Sequence, residues 1–136
     1  MKGDRIKYKE GYKYQLVETY SVFVGIMNVV CRTDYILLHA GNLIISKGYA
    51  WDGASGPTFD TPDTMRGSLV HDALYQLMRL GLLPESYREQ ADKLLHDICI
   101  EDGMSDFRAD LWRAVVEDFA SFAAEKGTEQ PILIAP

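Results

Sequence analysis

The chain has 136 residues, of which 47% are hydrophobic and 25% are charged, with 11 glycines and 5 prolines. This length and composition exclude a disordered, collagenous or low-complexity chain and favour a single packed domain over residues 1–136. The net charge is −6, with 20 acidic residues against 14 basic ones, which disfavours a nucleic-acid partner because phosphates attract basic patches.

Cysteine spacing and hydropathy bound the class of protein further. Cys31 and Cys99 are far apart and lack a CxxC spacing, so they predict buried thiols and not a disulfide framework or a zinc ribbon. The longest apolar stretch, residues 21–30, is much shorter than the ~20 residues that a membrane-spanning helix needs. The first residues are charged and precede no hydrophobic segment with a cleavage site. We therefore expect no transmembrane segment and no classical export signal.

The N-terminal half predicts β-strands. Residues 12–48 are rich in Tyr, Val, Ile and Leu, interrupted by short polar or glycine segments. The clearest hairpin pairs residues 35–39 with residues 43–46 around Ala40-Gly41-Asn42, where the glycine suits a turn. Residues 49–62 then combine Gly, Pro and Asp with no apolar periodicity, which predicts a structured loop.

Helix signals fill the C-terminal half, over residues 61–126. The first helix is predicted to begin after an N-cap at Thr61 and to stop at Gly81. The second is predicted to begin at Ser86, with Glu89 in capping-box spacing, and to end near Gly103. Its apolar face is formed by Ala91, Leu94, Leu95, Ile98 and Cys99.

The third predicted helix starts at Ser105 and carries an apolar stripe that we expect to pack in the core. The members of that stripe are Phe107, Leu111, Trp112, Val115, Phe119 and Phe122. Residues 128–136 form an apolar tail, which we expect to dock on the chain itself or to mediate self-association. The order of elements predicts an α+β fold: an N-terminal antiparallel β-sheet with hairpins, a Gly/Pro/Asp loop, and three C-terminal helices packed on the sheet.

The strongest candidate for chemistry is the segment His71-Asp72-Ala73-Leu74-Tyr75 in the first predicted helix. Tyr75 lies one turn after His71, whereas His71 and Asp72 diverge by about 100° and can serve different partners. Since a helix rises by about 1.5 Å per residue, an antiparallel second helix brings Asp92 to the level of His71. A carboxylate that holds one ring nitrogen fixes the tautomer and stabilises the imidazolium, so we expect Asp92 to orient His71 as a base.

Oxygen-bearing residues around this helix predict a calcium site. Asp72, together with Asp52, Gly53 and carbonyl groups of the preceding loop, offers the hard oxygen ligands that calcium prefers. A backbone N–H of Gly53 or Gly56 can face a developing oxyanion. The loop residues assigned to packing or turn formation are Trp51, Ser55 and Pro57.

Two alternatives to this site stay open. The cluster of His71, Asp72 and Tyr75 is also typical of a satisfied polar network that fixes an irregular loop without catalysis. A second His-Asp dipeptide, His96-Asp97, can reach the level of His71 and suggests a transition-metal site. The strand-rich half upstream argues against this second alternative, because metal phosphohydrolases of the His-Asp type are all-helical.

Three motifs resemble a phage-associated family known as domain of unknown function 1353. They are Lys-Gly-Tyr-Ala-Trp-Asp-Gly-Ala-Ser-Gly-Pro at residues 47–57, His-Asp-Ala-Leu-Tyr at residues 71–75 and Ala-Asp-Lys at residues 91–93. The similarity spans about residues 35–120. Members are small proteins of tailed bacteriophages and prophages, often encoded among structural genes. The resemblance implies a virion, tail or assembly component, located in the particle or in the host cytoplasm, with other phage structural proteins as partners.

The His-Asp-x-x-Tyr motif also resembles the catalytic core of secreted and parvoviral phospholipases A-two. In that core a calcium loop precedes the motif helix, and a second antiparallel helix supplies an aspartate. By this resemblance His71 matches the base, Asp72 the calcium ligand, Tyr75 the supporting phenol and Asp92 the histidine partner. It implies that His71 deprotonates a water that attacks a lipid ester, while calcium stabilises the oxyanion.

The two resemblances together predict a phage structural or accessory protein that retains a phospholipase-like His/Asp site. One alternative is a calcium-dependent lipid esterase that helps a phage to cross a cell envelope. A further alternative is a host-directed regulatory binding protein.

Overall fold

A computed structural model of the chain describes residues 8–9, 14–53 and 61–123, and it describes side chains for residues 14–53 and 61–117. The apolar tail and three loop residues with predicted roles lie outside the described residues. Those loop residues are Ser55, Gly56 and Pro57.

The described residues form two compact units. Unit 1 ends at Asp52 and contains antiparallel strands in two sheets, whereas unit 2 begins at Gly53 and contains three helices. The prediction of an α+β fold, with strands first and three helices after them, is therefore confirmed.

Unit 1 contains short strands that all pair antiparallel. They are β1 (Tyr8–Lys9), β2 (Tyr14–Leu16), β3 (Tyr20–Phe23), β4 (Cys31–Arg32), β5 (Ile36–His39), β6 (Asn42–Ile45) and β7 (Ala50–Trp51). One sheet has the strand order β1-β2-β7, and the other has the order β3-β6-β5-β4. Side chains in the second sheet alternate between buried and more exposed positions, as the two-residue period of a strand requires. Its buried members are Tyr20, Val22, Cys31, Ile36, Leu38, Leu43 and Ile45.

The β5–β6 hairpin confirms the predicted one but has a shorter turn. His39 lies opposite Asn42, so only Ala40 and Gly41 connect the strands. These two residues have φ angles of 50° and 80°. Positive φ at both positions matches the twist of antiparallel strands joined by a two-residue turn. Asn42, predicted as a turn residue, therefore belongs to the strand.

The strand β7 corrects the predicted loop over residues 49–62. Trp51 lies opposite Tyr14 of β2, and the Leu16 N–H donates to the Tyr49 carbonyl at 2.9 Å. Two residues are too few to show an apolar alternation in the sequence. The partner strand, distant along the chain, decides that this segment is extended.

The helices of unit 2 are α1 (Pro62–Arg79), α2 (Arg88–Glu101) and α3 (Asp106–Ala123). Thr61 is the N-cap residue of α1 as predicted, and its backbone N–H donates to Thr64 Oγ1 at 3.0 Å. The chain leaves α1 at Gly81, whose φ is 75°, a conformation that glycine adopts at low cost. Within the described part of the chain, no helix is both long and apolar enough to cross a membrane.

The start of α2 differs from its prediction. A 3₁₀ turn, Glu85–Tyr87, precedes the helix, and the N-cap residue Tyr87 makes no side-chain capping bond. The predicted capping box of Ser86 and Glu89 is therefore wrong. The Tyr87 N–H donates instead to the carbonyl of Pro84 at 3.1 Å, which closes the tighter turn.

The buried face of α3 is rotated from the predicted stripe. Phe107 is 78% exposed and Leu111 is 55% exposed, so the expectation that both pack in the core is wrong. The buried positions are Ala109, Trp112 and Val116, and Val115 is half-buried. The prediction for Trp112 is confirmed, whereas Ala109 was not predicted because a small alanine carries little hydrophobic weight in a sequence pattern. The side chains of Phe119 and Phe122 lie outside the described residues.

Helices α1 and α2 approach closely at Gly67. A Cβ atom at this position would lie 2.8 Å from Cys99 Sγ and 3.3 Å from the Leu95 carbonyl oxygen. Cys99 is fully buried, and that burial, followed by the charge of Asp102, raises the pKa of its thiol to about 12. Both cysteines are free and buried, as predicted.

We expect Gly67→Ala to lower the free energy of unfolding. Alanine favours a helix over glycine by about 1 kcal/mol, but overpacking against a buried partner costs about 1–3 kcal/mol. Chemical denaturation followed by far-UV circular dichroism measures the balance. In a Cys99→Ala background, which removes the Sγ atom, the same substitution should cost less. An equal cost in both backgrounds would contradict the close contact at Gly67.

Candidate functional site

The candidate site lies between α1 and α2 of unit 2. His71 Nε2 is 2.7 Å from Asp92 Oδ1, so the structure brings together the two residues that helical geometry placed at one level. The Asp92 side chain is 2% exposed and that of His71 is 13% exposed. The carboxylate is thus shielded from water, which strengthens its hydrogen bonds, while one part of the imidazole ring reaches the surface.

Tyr75 completes this cluster. Its hydroxyl donates to Asp92 Oδ1 at 2.7 Å, and its ring lies 4.2 Å from the His71 ring between centroids. Burial, followed by the hydrogen bond to Asp92 and the charge of Asp92, strongly raises the pKa of the Tyr75 phenol. Tyr75 therefore remains a neutral hydrogen-bond donor that fixes the carboxylate.

The contact with Asp92 determines the tautomer of His71. A carboxylate only accepts hydrogen bonds, so Nε2 must carry the hydrogen. In the neutral ring Nδ1 is then the acceptor, and the described residues provide no hydrogen-bond partner for it. This is the protonation pattern of a general base whose orientation is set by an acid.

A buried arginine holds the other end of the same helix pair. Arg66 is 4% exposed, and its guanidinium lies 2.7 Å from Glu101 Oε1 and 3.1 Å from Asp102 Oδ1. Together with the His71 contact it fixes the antiparallel register of α1 and α2. Sequence reasoning missed this residue. The sequence signal that could have identified it is an arginine in the first helix together with an acidic pair at the end of the second.

The structure describes the three residues that were predicted to bind calcium, Asp72, Asp52 and Gly53. Asp72 is half-buried on α1, Asp52 is exposed at the end of unit 1, and Gly53 begins unit 2. The described ranges contain no group of three or more His, Cys, Asp or Glu side chains that could hold a metal ion. Calcium also binds backbone carbonyls and water, so the calcium site at Asp72 stays a prediction.

The second histidine of unit 2 does not join this cluster through any hydrogen bond of the described residues. His96 Nδ1 lies 3.0 Å from Asp97 Oδ1, and its Nε2 lies 2.6 Å from Asp110 Oδ1. Both ring nitrogens are thus engaged by carboxylates. The transition-metal alternative, in which His96 and His71 share an ion, gains no support from this arrangement.

The loop residue Trp51 is buried in unit 1, as its predicted packing role requires. It is 1% exposed, and its ring centroid lies 5.7 Å from that of Tyr14. The β2–β7 pairing places the two rings side by side.

Comparison with protein-family models, curated proteins and solved structures finds no match to this chain. The resemblances to the phage-associated family and to the phospholipase A-two core therefore stay predictions that rest on the motif residues.

We expect Asp92→Ala to destabilise unit 2 by about 2–3 kcal/mol, because the buried Tyr75 hydroxyl and His71 Nε2 both lose their acceptor. Asp92→Asn keeps one acceptor oxygen in the same place and should cost less. Tyr75→Phe removes one of the two donors and should cost about 1 kcal/mol. Thermal unfolding followed by circular dichroism ranks the three variants. Wild-type stability of Asp92→Ala would contradict a buried hydrogen-bonded carboxylate.

Proposed function

We propose that unit 2 carries a hydrolytic site for ester substrates, with His71 as the general base and Asp92 as the residue that orients it. The observation that carries the proposal is the 2.7 Å contact between His71 Nε2 and the buried Asp92 Oδ1. The resemblance to the phospholipase A-two core supplies the substrate class, which is lipid esters.

The chain's own residues account for the proton transfers. His71 Nδ1 takes a proton from a water molecule as the water oxygen attacks the ester carbonyl. The imidazolium that forms is stabilised by the adjacent Asp92 carboxylate. As the tetrahedral intermediate collapses, the C–O bond to the alcohol breaks, and Nδ1–H returns its proton to the leaving oxygen. The products are a carboxylic acid and an alcohol, and the neutral ring is restored.

Tyr75 supports this cycle without exchanging a proton. Its hydroxyl donates to the same Oδ1 atom that faces His71, and its ring lies against the imidazole. Because its pKa is strongly raised, Tyr75 stays protonated while His71 changes charge. The phenol is therefore a positioning group for the carboxylate and the ring.

We expect the wild-type chain to release fatty acid from phospholipid vesicles and His71→Ala to be slower by about 100-fold or more, the usual contribution of a general base. The assay is run with calcium and with EDTA, because calcium is the predicted cofactor and Asp72 its predicted ligand. His39→Ala, which removes an exposed histidine of β5, serves as the matched control and should retain the wild-type rate.

The unfolding temperature of each variant separates loss of chemistry from loss of fold. A slow His71→Ala variant with near-wild-type stability supports the base. If the wild type releases fatty acid only at the background rate, both with calcium and with EDTA, the proposed hydrolase is contradicted. That result would favour the polar-network alternative.

A second candidate function is a component or accessory protein of a bacteriophage particle. Beside the family resemblance, the surface of α3 favours it: Phe107 and Leu111, one turn apart, expose most of their apolar side chains. Exposed neighbouring apolar residues are typical of a surface that contacts another protein. The apolar tail, residues 128–136, is a predicted second contact.

We expect the double variant Phe107→Ser, Leu111→Ser and a chain truncated after residue 131 each to reduce self-association, because each removes apolar surface from a contact. Analytical ultracentrifugation measures the mass in solution. Phe23→Ser, at a residue of β3 that is 53% exposed, is the control for a general loss of surface hydrophobicity. An unchanged mass for both variants would contradict self-association through α3 and the tail.

A further inference from the structure

His96 lies where α2 meets α3, and it is held from both sides. On one side Asp97, its neighbour on α2, is 3.0 Å from Nδ1. On the other side Asp110 of α3 is 2.6 Å from Nε2. The His96 side chain is 16% exposed, whereas the Asp110 side chain is 71% exposed. The contact thus joins a shielded imidazole on one helix to a surface carboxylate on the next.

This geometry requires the charged form of the ring. A neutral imidazole has one N–H and one bare nitrogen, so one of the two carboxylates would face a lone pair. The imidazolium has two N–H groups and can donate to both carboxylates. Two charge-assisted hydrogen bonds of this kind are stronger than neutral ones.

We infer that His96 is a proton-dependent strap between α2 and α3, which holds α3 more tightly at acidic to neutral pH than at alkaline pH. The device is independent of the proposed hydrolysis at His71. It concerns the contact between His96 of α2 and Asp110 of α3.

The charged groups around His96 support this assignment. On α2, Asp97 also accepts a hydrogen bond from Lys93 at 2.6 Å, which keeps that carboxylate ionised and in place. Burial alone would raise the pKa of Asp97, but its bonds to Lys93 and His96 lower it overall. From α3 the facing group is Asp110, and no charged side chain of α1, which is described throughout, bonds to the ring.

The other attachments of α3 among the described residues use different chemistry. Arg108 of α3 forms an ion pair with Asp63 of α1 at 3.2 Å, which involves a guanidinium and a carboxylate but no imidazole. Buried apolar residues of α3, such as Trp112, hold the helix through packing that does not involve protons. His96 is therefore the described α3 attachment whose charge changes at physiological pH.

The direction of the pH effect follows from the raised pKa of His96. The hydrogen bond to Asp97 is the main cause of the increase, and the bond to Asp110 adds to it against the effect of burial. A group with a raised pKa in the folded state stabilises the fold fully below its unfolded-state value of about 6.5. That stabilisation is lost as the pH rises through the folded-state pKa.

Native-state hydrogen exchange of backbone amides tests the strap. After correction for the intrinsic pH dependence of exchange, wild-type protection of residues 106–117 should fall roughly two- to fivefold relative to α2 between about pH 6 and pH 9. His96→Gln and Asp110→Asn should already have the lower protection at the acidic end and should show no further fall. His39→Gln, a histidine variant in unit 1, should keep the wild-type profile.

Asp110→Asn changes an exposed side chain and leaves the core intact, so the test does not depend on the stability of His96→Gln alone. A wild-type α3 protection that stays constant over this pH range would overturn the inference. So would a wild-type pH profile in either His96→Gln or Asp110→Asn.

Discussion

The close antiparallel contact between α1 and α2 is the constraint on which the candidate site depends. Gly67 allows the two helix backbones to approach, because any Cβ atom there would meet Cys99 and the Leu95 carbonyl. The buried Arg66 fixes the register at the end of α2 through its acidic pair. One turn after Gly67, the same spacing places His71 within 2.7 Å of the Asp92 carboxylate. The close packing of the two helix backbones at Gly67 thus determines the distance between His71 and Asp92.

One oxygen atom of Asp92 serves both the stability of the helix pair and the proposed orientation of His71. Its Oδ1 accepts hydrogen bonds from both the Tyr75 hydroxyl and His71 Nε2 while the side chain is shielded from water. A buried carboxylate in this position is costly to leave unpaired, so each of its two donors contributes to the stability of the helix pair. The hydrogen bonds of Asp92 that stabilise the helix pair are therefore the same ones that the proposed function uses to orient His71. What distinguishes the two roles is whether substrate and water reach Nδ1 of the ring.

Features that depend on local or periodic signals could be predicted from the sequence, and features decided by distant partners could not. The β5–β6 hairpin, the stop of α1 at Gly81 and the approach of Asp92 to His71 follow from turn residues, caps and helical rise. Strand β7 exists because β2 pairs with it. The buried face of α3 depends on how the helix packs, so Trp112 of the predicted stripe is buried while Phe107 and Leu111 are exposed. The bond between His96 and Asp110 likewise needed the helices in place.

The two thiols are protected from redox chemistry by their burial. Cys31 lies in the core of a sheet and Cys99 in the core of the helix pair, each in a different unit. Burial raises the pKa of both, so neither is a thiolate at neutral pH. Since the thiolate is the species that attacks disulfides and oxidants, both side chains are inert while the fold is intact. While the fold is intact, the two thiols are therefore expected to stay free in a reducing and in an oxidising environment.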